Sequence, residues 1–213
     1  MNTDRTSALA AALLIVATGS AGSGWAETRA NPQIAQLAPV AAAPADAAAQ
    51  EARAREYFTD LELVTQDGDS VRFFSDVLKD RVVLISFVYT NCEDACPLIT
   101  HKVSQVRDIL EGQIGDKIRF VTISLDPVRD SPAALKRFAR EHHADHDGWV
   151  FLTGQQENVN HIIKKLGAYT DNIEAHSTLM LAGNVRTARW TKIPPMVPPQ
   201  GVAEKLSLLA ENH

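Results

Sequence analysis

The sequence predicts an α/β protein: a central mixed sheet flanked by helices and opened by an N-terminal β-hairpin. Three observations predict it. Residues 82–89 and 118–125 form almost unbroken apolar runs rich in β-branched side chains, the pattern of strands buried on both faces. Segments with helical spacing alternate with these runs, and such alternation covers a sheet with helices on both sides. The chain then ends in a second hairpin followed by a helix.

Each element has its own signal. Residues 61–64 and 71–74 flank Gln66-Asp67-Gly68-Asp69, a hairpin turn in which Gly68 is free to take positive φ. The first buried strand, 82–89, leads into a helix over 95–110, where Ile99, Val103, Val106 and Leu110 are spaced to face a core. After the strand 118–125, Ser131 supplies an N-cap and Pro132 a first-turn proline for a helix reaching Glu141. A short strand over 149–152, a helix over 158–166 and a strand over 178–181 follow. Gly183-Asn184 is the predicted turn into a last strand over 189–192, and 202–209 closes the chain as a helix.

The N-terminal quarter has a different composition. Arg5, an apolar run over 8–18 and the small-residue site Gly24-Trp25-Ala26 read as a secretory leader, residues 1–26, cleaved after Ala26. The alternative is an uncleaved anchor, but the run falls short of the roughly 20 residues that span a bilayer. Residues 27–55 are rich in Ala, Pro and Gln without an aromatic side chain, and read as a flexible tether in which 46–55 has helical character. The folded domain is placed at 56–213. Export makes the expected location the periplasm, with membrane association only through a partner or an uncleaved leader.

The whole chain of 213 residues is 45% hydrophobic and 22% charged, which excludes collagenous, wholly disordered and disulfide-dense classes. A net charge of −5 offers no basic footprint for nucleic acid. Both cysteines fall in Thr90-Asn91-Cys92-Glu93-Asp94-Ala95-Cys96-Pro97, four residues apart across a strand-to-helix turn. Residues at that spacing share a helix face, so the two sulfurs reach a common point. A helix N-terminus favours thiolate, the species that binds metals and attacks disulfides. Two buried, inert cysteines are the plainer alternative.

These residues resemble the Sco/SenC family of copper-binding proteins, which have a thioredoxin-like fold. Residues 83–97 carry the C-x-x-x-C-P spacing, Ser124-Leu125-Asp126-Pro127-Val128-Arg129-Asp130-Ser131-Pro132 is similar to the family's second signature, and the likeness runs from about 58 to 192. The resemblance implies copper ligation by Cys92, Cys96 and His176, the last from Ala175-His176-Ser177-Thr178, with the segment before the strand at 178 beside the thiol turn. It also implies an exported metallochaperone that hands copper to the copper-bearing subunit of cytochrome c oxidase or a related respiratory enzyme. Many relatives carry an acidic residue where this chain has Ala175, so no carboxylate is assigned to support the histidine. The residue types agree: soft thiolates select copper(I), and an added imidazole makes a three-coordinate set for copper(I) or copper(II), whereas structural zinc takes four ligands.

A thiol-disulfide oxidoreductase is the competing function, with Cys92 and Cys96 cycling through a disulfide against cysteines of an oxidase subunit and a periplasmic thiol reductant. His176 separates the two, because copper needs it and thiol exchange does not. A peroxidase of the peroxiredoxin kind is disfavoured, since Ile85 and Tyr89 occupy the positions where that pattern has proline and threonine. Glu141-His142-His143-Ala144-Asp145-His146-Asp147 reads first as a polar helix end and only second as a metal patch; His101 and His161 read as helix-surface residues. Asp126-Pro127 is either support for the metal ligands or a turn closing the strand.

Overall fold

The two apolar runs become β3 (Val82–Val88) and β4 (Ile118–Ser124), parallel neighbours joined along their full length. In this computed structural model, which describes residues 44–115, 117–175 and 178–211, the other strands are β1 (Glu62–Thr65), β2 (Ser70–Arg72), β5 (Trp149–Thr153), β6 (Met180–Asn184) and β7 (Arg189–Ile193). They form one mixed sheet in the order β2-β1-β5-β4-β3-β6-β7. The leader predicted at 1–26, residues 27–43 of the predicted tether and His176 lie outside the described residues.

Every β3 side chain is buried, and the pleat divides them between two cores. Val82, Leu84 and Val88 pack in the cluster that holds α2 (Ala95–Ile109), α3 (Pro132–Glu141) and α5 (Pro199–Glu211). Val83, Ile85 and Phe87 pack on the opposite face beneath α1 (Pro44–Phe58) and α4 (Gln156–Lys165). A strand buried on both faces has no polar side to alternate with, hence the continuous apolar run. The N-cap of α3 is as predicted: Ser131 Oγ accepts from Ala134 N at 3.2 Å, with Pro132 in the first turn.

Two local expectations are corrected. Phe73 and Phe74 do not extend β2; they open a π-helical turn, Phe73–Leu78, that buries Phe73, Phe74, Val77 and Leu78. Polar contacts select that turn over a strand: the Asp76 carboxylate accepts from Arg72 N at 2.7 Å, and Asp60 accepts from Ser75 N at 2.7 Å. Gly183 and Asn184 are not the turn but the end of β6. Asn184 sits fully buried, donates to Leu209 O at 2.8 Å, and accepts from Arg186 N and Thr187 N, so it organises the turn that follows it. The helical character read at 46–55 belongs to α1, which is tied to the end of α4 by Tyr57 Oη donating to Lys165 O at 2.8 Å.

Gly183 is required by packing. It stands opposite Trp190 in the β6–β7 register, and a Cβ there would come within 2.3 Å of the indole ring. That ring in turn leans on Phe58 of α1, with centroids 5.0 Å apart. Gly183→Val is therefore expected to displace Trp190, cost about 2 kcal/mol as an overpacked site and lower the thermal midpoint of unfolding. An unchanged melting curve would contradict this packing.

Candidate metal centre

The candidate centre is built where β3 stops. Val88 O accepts from Leu125 N at 2.8 Å, which keeps the ends of β3 and β4 together, and the chain then turns through 89–94 into α2. Cys92 N donates to Tyr89 O at 3.1 Å, closing a tight turn that returns the Cys92 side chain toward the helix N-terminus. There Cys96 N donates to Cys92 Sγ at 3.3 Å. One of the orphan N–H groups of the first turn is thus spent on a sulfur. Both thiols are free and buried, Cys92 8% exposed and Cys96 1%, on a shelf of Val88 and Ile99.

Their environments push the two sulfurs apart in acidity. Burial works to raise Cys92, but hydrogen bonds from the Cys96 side chain, the Cys96 and Asp94 backbone N–H groups and the Tyr89 hydroxyl outweigh it and hold Cys92 below the usual thiol value. Cys96 is pushed far up by burial and by giving its proton to Cys92, against one opposing hydrogen bond from the Tyr89 backbone. The Tyr89 hydroxyl is pushed up to about 12, by burial first and then by its bond to Cys92. Of the two sulfurs Cys92 is therefore the first to ionise, and it does so as the acceptor of the Cys96 S–H. The slightly more exposed sulfur is the better nucleophile and ligand.

Behind the thiol turn lies a buried carboxylate that the sequence pattern does not single out. Asp130, 1% exposed, accepts from Thr90 N at 3.0 Å, Thr90 Oγ1 at 2.6 Å and Ser124 Oγ at 2.6 Å, tying the turn to the end of β4. Burial raises its carboxyl above the usual carboxylate value despite those bonds. Asp126, for which the sequence left metal support and a strand-closing turn both open, pairs outward with Arg129 at 3.0 Å while its backbone N–H bonds Ser124 Oγ, which makes it part of the turn. The available signal was position: Asp130 lies two residues before a helix start and one before the N-cap, where the loop turns back on the strand ends.

The structure brings Cys92 and Cys96 together; His176 lies outside the described residues. Glu174, two residues before it, lies within electrostatic reach of the Tyr89 hydroxyl. The chain after it enters β6, whose Leu181 is paired with Ile85 of β3, so β6 begins at the end of β3 from which the thiol turn leaves. The histidine-rich stretch after α3 is otherwise engaged. Asp145 pairs with Lys136 at 2.6 Å and Arg140 at 3.2 Å, and His142 packs on the Phe138 ring. His101 and His161 are exposed on their helices. Among the described residues no group of three His, Cys, Asp or Glu side chains is assembled to hold a metal, and no helix is long and apolar enough to cross a membrane.

Comparison with known proteins places this geometry. The sequence profile of the SCO1/SenC family matches residues 49–207. The SCO1 protein homolog of Bacillus subtilis is 38% identical over 93 residues, covering 44% of this chain and 47% of that one. The chain spans about half the length of the curated relatives it matches. Among solved structures, Bradyrhizobium japonicum ScoI with copper bound aligns with a TM-score of 0.58 and 26% identity over 70% of this chain and 96% of its own. BsSco, described as having a disulfide switch and as a member of the Sco family of cytochrome c oxidase assembly proteins, aligns with a TM-score of 0.62 over 73% of this chain and 94% of its own, and at 24% identity speaks to the fold. The sheet and helices described above are thus of the thioredoxin-like kind that the sequence resemblance implies.

Proposed function

The chain belongs to the SCO1/SenC family, and from that premise we propose that it is an exported copper carrier whose cargo is held by Cys92, Cys96 and His176 and passed to the copper-bearing subunit of a cytochrome c oxidase or related respiratory enzyme. The observation that carries this is the thiol pair, preset at the mouth of α2 with donated hydrogen bonds that favour ionisation of one sulfur. Two soft sulfurs converging in a shallow, apolar turn suit copper(I), and a borderline imidazole completes a set for both oxidation states. Three ligands without a closed fourth position leave the cargo exchangeable, as delivery requires. Support for His176 comes from its neighbours: Glu174 and β6 bracket it, and both lie close to the end of β3.

A second reading is favoured by a specific observation. The unequal acidity of Cys92 and Cys96 is the arrangement of a nucleophilic and a resolving cysteine, so the same pair suits thiol-disulfide exchange with cysteines of an oxidase subunit. The test is copper titration of the reduced chain and of His176→Ala. Loss of at least about tenfold in copper(II) affinity, about 1.4 kcal/mol, with copper(I) retained on two thiolates, is the expected result. A copper(II) spectrum and affinity unchanged by the substitution would remove His176 from the ligand set. Failure of the reduced wild-type chain to bind copper at all would leave the exchange reading.

A further inference from the structure

On the face of the sheet away from the thiols, a cavity of about 610 Å³ opens between α1, the end of α4 and the β6–β7 hairpin. That volume lies within the about 300 to 1,000 Å³ of sites that take small organic ligands. Phe58, Leu166, Leu181, Val185 and Trp190 give it an apolar lining. Two small residues create the space. Gly183 lets the Trp190 indole lie flat over β6, where a Cβ would collide with it. Ala54, on α1, leaves the opposite wall short of a large side chain.

Its charges are one-sided. Among the described residues Arg53, Lys165 and Lys192 line the cavity and no Asp or Glu does. Among the described residues none of the three forms an ion pair, although the chain as a whole is acidic at −5 and its other cations at this helix, Arg55 and Lys79, are paired with carboxylates. Lys192 follows Trp190 by two residues on β7, so the pleat sends both side chains to the same face. Lys165 sits over the Tyr57 ring at 5.4 Å, with its backbone carbonyl taken by the Tyr57 hydroxyl. An apolar lining beneath three unpaired cations is complementary to one chemistry, an apolar body ending in a single anionic head.

We propose that this cavity binds a medium-chain aliphatic carboxylate, its chain against Trp190, Leu181 and Val185 and its carboxylate among Arg53, Lys165 and Lys192. The site is separate from the thiol turn and does not depend on the metal carried there. The chain of such a ligand would lie in the space that Ala54 leaves beside Trp190.

The test is titration of the full chain with sodium decanoate below its micellar concentration, with 1-decanol as the uncharged control, followed by calorimetry and by the change in tryptophan emission that Trp190→Phe should remove. One decanoate per chain is expected, bound more tightly than decanol. The combined variant Arg53→Gln, Lys165→Gln, Lys192→Gln should weaken decanoate by about tenfold, as three partly screened charge contacts allow, and leave decanol unchanged. Ala54→Phe should remove binding of both. Absence of saturable decanoate binding, equal binding of acid and alcohol by the unsubstituted chain, or indifference of decanoate affinity to loss of the three charges would overturn the proposal. The charge variant lies on the surface and does not touch the core, so its outcome stands even if Ala54→Phe fails to fold.

Discussion

Cys96→Ser is expected to lower the copper(I) affinity of the reduced chain by roughly a hundredfold to a thousandfold. By the scale of structural zinc sites, which deliver about 10 to 16 kcal/mol over four ligands, one thiolate is worth about 2.5 to 4 kcal/mol, or two to three decades. Cys92→Ser should do the same, and a Cys92–Cys96 disulfide should abolish binding, since neither sulfur then has a thiolate to give. The pH dependence distinguishes the two cysteines. Cys92 is held below the ordinary thiol value and Cys96 well above it, so over the range between them the free protein carries one proton, on Cys96. Binding copper as a dithiolate expels that proton, and affinity therefore rises with pH by about tenfold per unit across this window. Below the Cys92 value a second proton must leave and the slope steepens. Cys96→Ser should flatten the upper window. Competition titrations against a copper(I) chelator at several pH values measure both effects; full copper loading of demonstrably disulfide-bonded protein, or a pH-independent affinity, would contradict the two-thiolate site.

The parts of this fold that were legible in the sequence are those with one dominant cause. β3 and β4 announce themselves because burial on both faces leaves only apolar, β-branched side chains, and α3 because Ser131 and Pro132 do local work at its start. The thiol pair was legible because two cysteines at helical spacing beside a strand end have few other uses. What escaped was decided by contacts distant in sequence. Phe73 and Phe74 follow a strand pattern, yet the bonds of Asp60 to Ser75 and of Asp76 to Arg72 coil that stretch into a π-helical turn. Gly183-Asn184 has turn composition, but Asn184 uses its amide from inside the sheet to hold both the next turn and the end of α5. α1 lacks an apolar stripe, and it docks through single groups such as Tyr57 and Phe58 rather than a periodic face. Asp130 was hidden for the same reason: the run 126–130 offers two aspartates that look alike in sequence, and only the closure of the loop buries the second.

That burial makes Asp130 the position outside the cysteines where a substitution should do most. Asp130→Ala leaves the Thr90 N–H and the hydroxyls of Thr90 and Ser124 without their acceptor in a site that is 1% exposed. Buried donors left unpaired cost about 1 to 3 kcal/mol each, partly recovered as hydroxyls rotate, so a loss of about 3 kcal/mol in stability is expected. Thr90 stands two residues before Cys92, so the thiol turn loses its tie to β4, and copper affinity should fall by about tenfold through poorer preorganisation of the sulfurs. Asp130→Asn keeps an acceptor of the same shape and should recover most of both losses. The sign of the pH effect follows from burial raising the Asp130 carboxyl above its ordinary value of 3.8. The folded state then holds this proton more tightly than the unfolded state. The stability gained this way is fully present below 3.8 and is lost as pH rises through the higher, folded value. Asn cannot titrate, so the stability of the wild-type chain measured relative to Asp130→Asn should shrink as pH rises from 3.8 toward neutrality. Denaturant titrations of the three proteins across that range decide it: a difference that grows with pH would mean that Asp130 is held as a stabilised carboxylate, with its acidity shifted the other way.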